Sequence, residues 1–247
     1  MEKLVKEKSM LGTSNQLEQL NDLKDNHPFW NNNLLRDAQS GNLTIENYRY
    51  IWGQYSLYCQ NFTRYIAGVM AACESDYYRA RLSENLWEEG GGCKTEERHS
   101  EIFRKFLKQL GINPLKIEYT DFTHIFVQQY LRETTCSDVL WSSAILSLGT
   151  EAIVPRMYKI FIQGMLKAGI PDEWLDFFYI HVKCDDQHAA TLADLMCSLN
   201  QERDWFPRCY SALDRALTMR ANFFENLYAI CLQQNNGEEM KLYRNPV

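Results

Sequence analysis

Apolar residues recur at helical spacing along almost the whole chain, and the stretches between them are marked by a few clear stops and starts. The opening stretch, 1–26, is polar and reads as a leader. His27-Pro28 then opens a helix over 28–40, because proline in a first turn gives up no needed N–H and its φ is already helical. Thr44 caps a long stripe over 44–73, where Tyr48, Ile51, Tyr55, Tyr58, Phe62, Tyr65, Ile66 and Met70 fall at i, i+3, i+4, i+7 spacing. A third helix, 75–90, stops at Gly90-Gly91-Gly92, since three glycines in succession cost too much backbone entropy inside a helix. Five more follow at 95–110, 121–132, 138–164, 171–200 and 205–234, before a polar tail at 235–247. The pattern predicts an all-α, single-domain bundle of seven or eight helices over 27–234, with no repeat and no linker.

Composition narrows the function more than the fold. Lys and Arg number 26 against 32 Asp and Glu, a formal charge of −6, so there is no cationic footprint for nucleic acid. No apolar run approaches the roughly 18 residues of a membrane span, and the start lacks the apolar core of a secretory signal, so a cytoplasmic protein is expected. Eight cysteines, at 59, 73, 93, 136, 184, 197, 209 and 231, form no C-x-x-C pair. That spacing fits neither a zinc ribbon nor a disulfide framework, and reads as buried thiols.

The candidate chemistry lies in His181-x-x-x-Asp185-x-x-His188. On a helix these positions fall within roughly 60° of one another, so two imidazoles and a carboxylate converge as ligands for iron, manganese or zinc. Glu151 sits in an apolar stretch, where a buried carboxylate needs a partner. Pro155, four residues on, has no N–H for the Glu151 carbonyl, which predicts a kink or widened turn there. Glu89 ends one helix and His99 enters the next, and the glycine run between them can aim both at one place. By helical phase Tyr158 continues the Glu151 face, and Trp174 and Phe177 the His181 face. Together with Tyr55 and Tyr58 they are the candidate pocket aromatics. His27 and His124 have no comparable partners and read as structural.

With Glu89, His99, Glu151, His181, Asp185 and His188 in place, the chain resembles the haem-oxygenase-like di-iron oxidases of the TenA/PqqC-like superfamily. Within it, the likeness is to the branch that includes the Chlamydia protein associating with death domains. It covers most of the chain, from His27-Pro28-Phe29 to about Leu227, and its specific part is the set of three histidines and three carboxylates. Glu88 competes with Glu89 for one place. The resemblance implies a haem-oxygenase-like fold, two iron ions with one weakly held or replaced by manganese or zinc, and O2 as co-substrate. It implies oxidation of a small amino-acid-like, fatty-acid-like or aromatic molecule by a homodimer, with Glu151 as the carboxylate shared between the metals and Tyr55 or Tyr58 as oxidisable groups.

One departure is visible. Some members that oxygenate nitrogen add a carboxylate from the second helix, and the face around Gln60, Asn61, Thr63 and Arg64 offers none. Two other readings compete: a non-catalytic helical interaction protein with a residual metal site, and a metal-free relative of the thiaminase or quinone-synthase type. Cys184, beside the proposed ligand face, lacks the acidic and tyrosine surroundings that a thiaminase nucleophile implies.

Overall fold

A computed structural model describes residues 2–235 and Leu242, with the side chains of 2–13, 184–188 and 234–235 outside the described set. Every regular element among the described residues is helical. In chain order these are α1 (Glu2–Asn26), α2 (Asn33–Ser40), α3 (Ile45–Gln60), α4 (Phe62–Ala72), α5 (Asp76–Glu89) and α6 (His99–Gln109). They continue as α7 (Asp121–Thr134), α8 (Val139–Ser147), α9 (Val154–Lys167), α10 (Asp176–Ser198) and α11 (Trp205–Asn235).

The all-α expectation holds, while several boundaries differ from it, among them the helix over 28–40, which opens as a 3-10 turn (Pro28–Asn31) and breaks at Asn32 before α2. The segment read as a polar leader is helical and packs along α11, with Leu20 fully buried and Leu17 and Leu23 against the core. Three leucines at three-residue spacing are a narrow stripe, too sparse to outweigh the polar residues around them in the sequence. The stripe over 44–73 divides at Asn61, whose backbone (φ −97°, ψ 0°) ends α3 and starts α4. The stretch over 138–164 divides as well, into α8, a 3-10 turn at Glu151–Ile153, and α9. With α1 counted, this gives eleven α-helices among the described residues instead of seven or eight.

The division of 138–164 follows from Pro155. The N–H of Val154 takes the Glu151 carbonyl as a tighter 3-10 bond, and the helix restarts with Pro155 in its first turn, where its missing N–H costs nothing. At Gly149 the chain runs so close to α11 that an added Cβ would lie 2.3 Å from the Cβ of Ala216. Asp138 caps the start of α8, accepting from the N–H of Trp141 at 2.9 Å.

An aromatic cluster fixes the helices around the site. Trp52 of α3 meets Phe103 and Phe106 of α6, Phe161 of α9 and Phe178 of α10, with ring centroids 4.7 to 6.3 Å apart. Such edge contacts add about 0.5–1.5 kcal/mol per pair beyond burial, which locks four helices to one another. No helix among the described residues is long and apolar enough to cross a membrane.

Candidate metal centre

Glu89 is the last residue of α5 and His99 the first of α6. Between them the chain turns through Gly91 (φ +81°) and Gly92 (φ +60°), conformations that L side chains rarely adopt. The turn folds tightly on itself: a Cβ at Gly91 would lie 2.4 Å from the Lys94 carbonyl oxygen and 2.5 Å from the Arg98 nitrogen. This brings His99 Nδ1 to 3.0 Å from Glu89 Oε2. Glu89 is 5% exposed, whereas its neighbour Glu88 is on the solvent side. Of the two carboxylates, Glu89 faces the interior.

His181 comes to the same place from α10. Its Nδ1 lies 2.7 Å from the carbonyl oxygen of Phe177, one turn back. A carbonyl only accepts, so Nδ1 carries a proton, and in the neutral ring Nε2 keeps the lone pair that a metal would take. The ring packs at 4.2 Å from Phe177, 4.7 Å from His99 and 5.9 Å from Tyr158, centroid to centroid. Ligand atoms of Glu89, His99 and His181 all lie within 4.8 Å of one another. Donors that share one ion at about 2.0–2.2 Å each stand about 3–3.5 Å apart, so the set fits a first-row metal once its members close by about an ångström.

Glu151, 3% exposed, lines the same cavity from the turn between α8 and α9. Among the predicted pocket residues, Tyr55, Tyr58, Tyr158 and Phe177 line it as well. Trp174 does not. It lies in the 3-10 turn Asp172–Trp174 before α10, and the break at Leu175 (φ −92°, ψ 14°) stops the helical phase on which its placement rested. Asp185 and His188 fall on α10, and their side chains, like that of Cys184, lie outside the described residues. The free space is about 30 Å³, enough for about two water-sized groups, so a larger ligand enters only as side chains of the lining move.

His27 is structural: buried, with Nδ1 accepting from the Phe29 N–H at 3.0 Å and Nε2 at 3.3 Å from Asp214. His124 is exposed, with its ring 6.0 Å from Tyr119.

Several residues beside the cavity escaped the sequence reading. Cys59 and Thr150 line it, and burial, followed by the nearby Glu89 carboxylate, raises the Cys59 thiol well above its ordinary range. Arg220, 0% exposed, donates to the hydroxyls of Tyr55, Tyr58 and Tyr130 at 3.0 to 3.1 Å. Burial pushes the Tyr55 phenol up to about 12 and Tyr58 and Tyr158 well above their usual value, with Arg220 acting in the opposite direction on all three. These phenols are therefore neutral at physiological pH. The signal for Arg220 was present: a lone cation in the apolar stripe of Leu213, Ala216, Leu217, Phe224 and Leu227.

A family model described as an iron-containing redox enzyme of haem-oxygenase type matches residues 49–221. No curated protein sequence matches the chain. Among solved structures, a haem-oxygenase-like domain of unknown function from Shewanella denitrificans superposes with a TM-score of 0.70 at 12% identity, covering 93% of this chain and 96% of that one. A CADD-like protein of unknown function from Nostoc punctiforme gives 0.70 at 16% identity, over 90% of this chain and 99% of its own. A TenA homologue from Pseudomonas syringae gives 0.69 at 13%, over 88% and 93%. At these identities the likeness is one of fold.

Proposed function

Because the chain belongs to the haem-oxygenase-like family of iron-containing redox enzymes, we propose that it is a non-haem iron oxidase that uses O2 to oxidise a small organic molecule. One observation carries this reading: Glu89, His99 and His181, from three separate helices, converge on one buried cavity. Iron bound there would supply the redox chemistry with O2. Glu89, His99 and His181 would hold one ion; Glu151, Asp185 and His188 complete the set proposed for a second, with Glu151 shared.

The chain's own residues have separable tasks. The Phe177 carbonyl holds the His181 ring in one tautomer, which orients Nε2 inward. Burial of Glu89 and Glu151 concentrates negative charge where a cation can offset it. Phe177, Phe62 and Val154 give the cavity apolar walls that limit water near the reacting atoms.

Anaerobic titration with Fe²⁺, read as metal bound per chain, tests the reading. Two equivalents are expected for the wild type, and at least about a hundredfold weaker uptake for Glu89→Gln and His99→Ala. Consumption of O2 by the loaded protein should follow. Uptake that is absent in the wild type, or indifferent to both substitutions, would overturn the proposal.

A further inference from the structure

A fully buried guanidinium needs compensation, and Arg220 has an unusual set of partners. No carboxylate among the described residues lies within salt-bridge distance of it; its hydrogen bonds go to three phenols. Its carbon also stands 5.0 Å from the Tyr58 ring centroid, a favourable cation–π arrangement. These contacts solvate the charge, and no carboxylate among the described residues pairs with it directly. An uncompensated buried charge is costly, and an anion nearby relieves that cost.

The direction of the hydrogen bonds says where the anion belongs. Guanidinium nitrogens only donate, so the oxygens of Tyr55, Tyr58 and Tyr130 all accept, and their own protons turn elsewhere. The Tyr130 hydroxyl stands 3.3 Å from Thr150 Oγ1, whose own proton goes to the Ile145 carbonyl, and Tyr130 does not line the cavity. Tyr55 and Tyr58 do, together with Tyr158, whose hydroxyl is 3.5 Å from that of Tyr55. Three phenol protons thus meet one mutual contact. Among the described hydrogen bonds nothing else accepts them, so the cavity wall presents surplus donors with a cation directly behind.

We propose that Tyr55, Tyr58 and Tyr158, backed by Arg220, form an anion-binding wall of the cavity that takes the carboxylate of a small organic acid. Arg220 is the positioning residue: by occupying the Tyr55 and Tyr58 oxygens it fixes which way their protons point. The bound acid would share its cavity with Glu89, His99, Glu151 and His181, which makes it the molecule presented for oxidation. That last step rests on the oxidase reading given above; the binding does not.

The experiment compares acetate with its neutral isostere acetamide on the full-length chain, metal-free and anaerobically iron-loaded. Binding is followed by phenol difference absorption and by the shift in thermal midpoint. The wild type should prefer acetate in at least one form. Tyr58→Phe should lower that preference about tenfold, the scale of one hydrogen bond to a charged group. Arg220→Lys should lower it further, whereas Tyr48→Phe, which removes a buried phenol outside the cavity, should leave it unchanged. Equal binding of acetate and acetamide in both forms, or a preference that survives Tyr58→Phe, overturns the wall. Iron uptake is read separately: its loss with the acetate preference intact would overturn the oxidase reading alone.

Discussion

Two groups of polar side chains meet at the cavity, and they are built in opposite ways. On the metal side, Glu89 ends a helix, His99 begins one and Glu151 opens a 3-10 turn, so the chain bends at three of the four positions. On the phenol side, Tyr55 and Tyr58 of α3, Tyr130 of α7 and Arg220 of α11 all project from within regular helices. A ligand at a turn is aimed by local backbone and owes little to the surrounding core. A mid-helix polar cluster replaces core, and its hydrogen bonds take the place of packing. The metal side should therefore tolerate substitution without unfolding, and the phenol side should not.

The largest expected effect tests this contrast directly. Arg220→Ala leaves a cavity and strips three buried phenols of their donor, which should cost about 3–5 kcal/mol in urea denaturation of the metal-free chain. Glu89→Gln keeps the shape and removes a buried charge, so it should change stability by under about 1 kcal/mol, or raise it, while abolishing tight metal uptake. The reverse order of the two costs would dissolve the contrast.

A smaller effect is expected where the metal side depends on its turn. Gly91→Ala meets both a left-handed backbone and two backbone atoms within 2.5 Å of its new Cβ. It should cost about 1–3 kcal/mol. Because Glu89 and His99 flank this turn, metal affinity measured by Fe²⁺ or Zn²⁺ titration should fall about tenfold, on the scale seen for groups that orient ligands. Unchanged affinity would mean that the helices α5 and α6 aim these residues without the turn.

The same contrast explains what could be read from the sequence. Histidine is rare, with five in the chain, so His181 and His99 stood out once a glycine stop and a helical spacing gave them neighbours. The all-α fold was legible from the apolar stripes, and the break near Glu151 from Pro155. Tyrosine is common, with fourteen, and Tyr55, Tyr58 and Tyr130 belong to stripes that a core face explains just as well. Arg220 gathers them across separations of 90 to 165 residues, which no local spacing encodes. Trp174 was misplaced for a related reason: phase extrapolated from α10 back past the break at Leu175 no longer applies.

The two sides also touch, at Thr150. Its hydroxyl donates to the Ile145 carbonyl at 3.0 Å, closing the end of α8, and lies 3.3 Å from the Tyr130 hydroxyl. Its neighbour in sequence is Glu151, while Tyr130 is held by Arg220. This is the one described hydrogen bond between the turn that carries Glu151 and the phenol cluster. It is long, between neutral groups, and so should carry little energy. A double-mutant cycle of Thr150→Val with Tyr130→Phe should give a coupling of about 0.5 kcal/mol in stability. Iron affinity should shift by no more than about threefold across the cycle. A coupling of several kcal/mol would mean that the cation behind the phenols and the carboxylate at the turn act as one unit, and that a ligand on one side of the cavity is felt at the other.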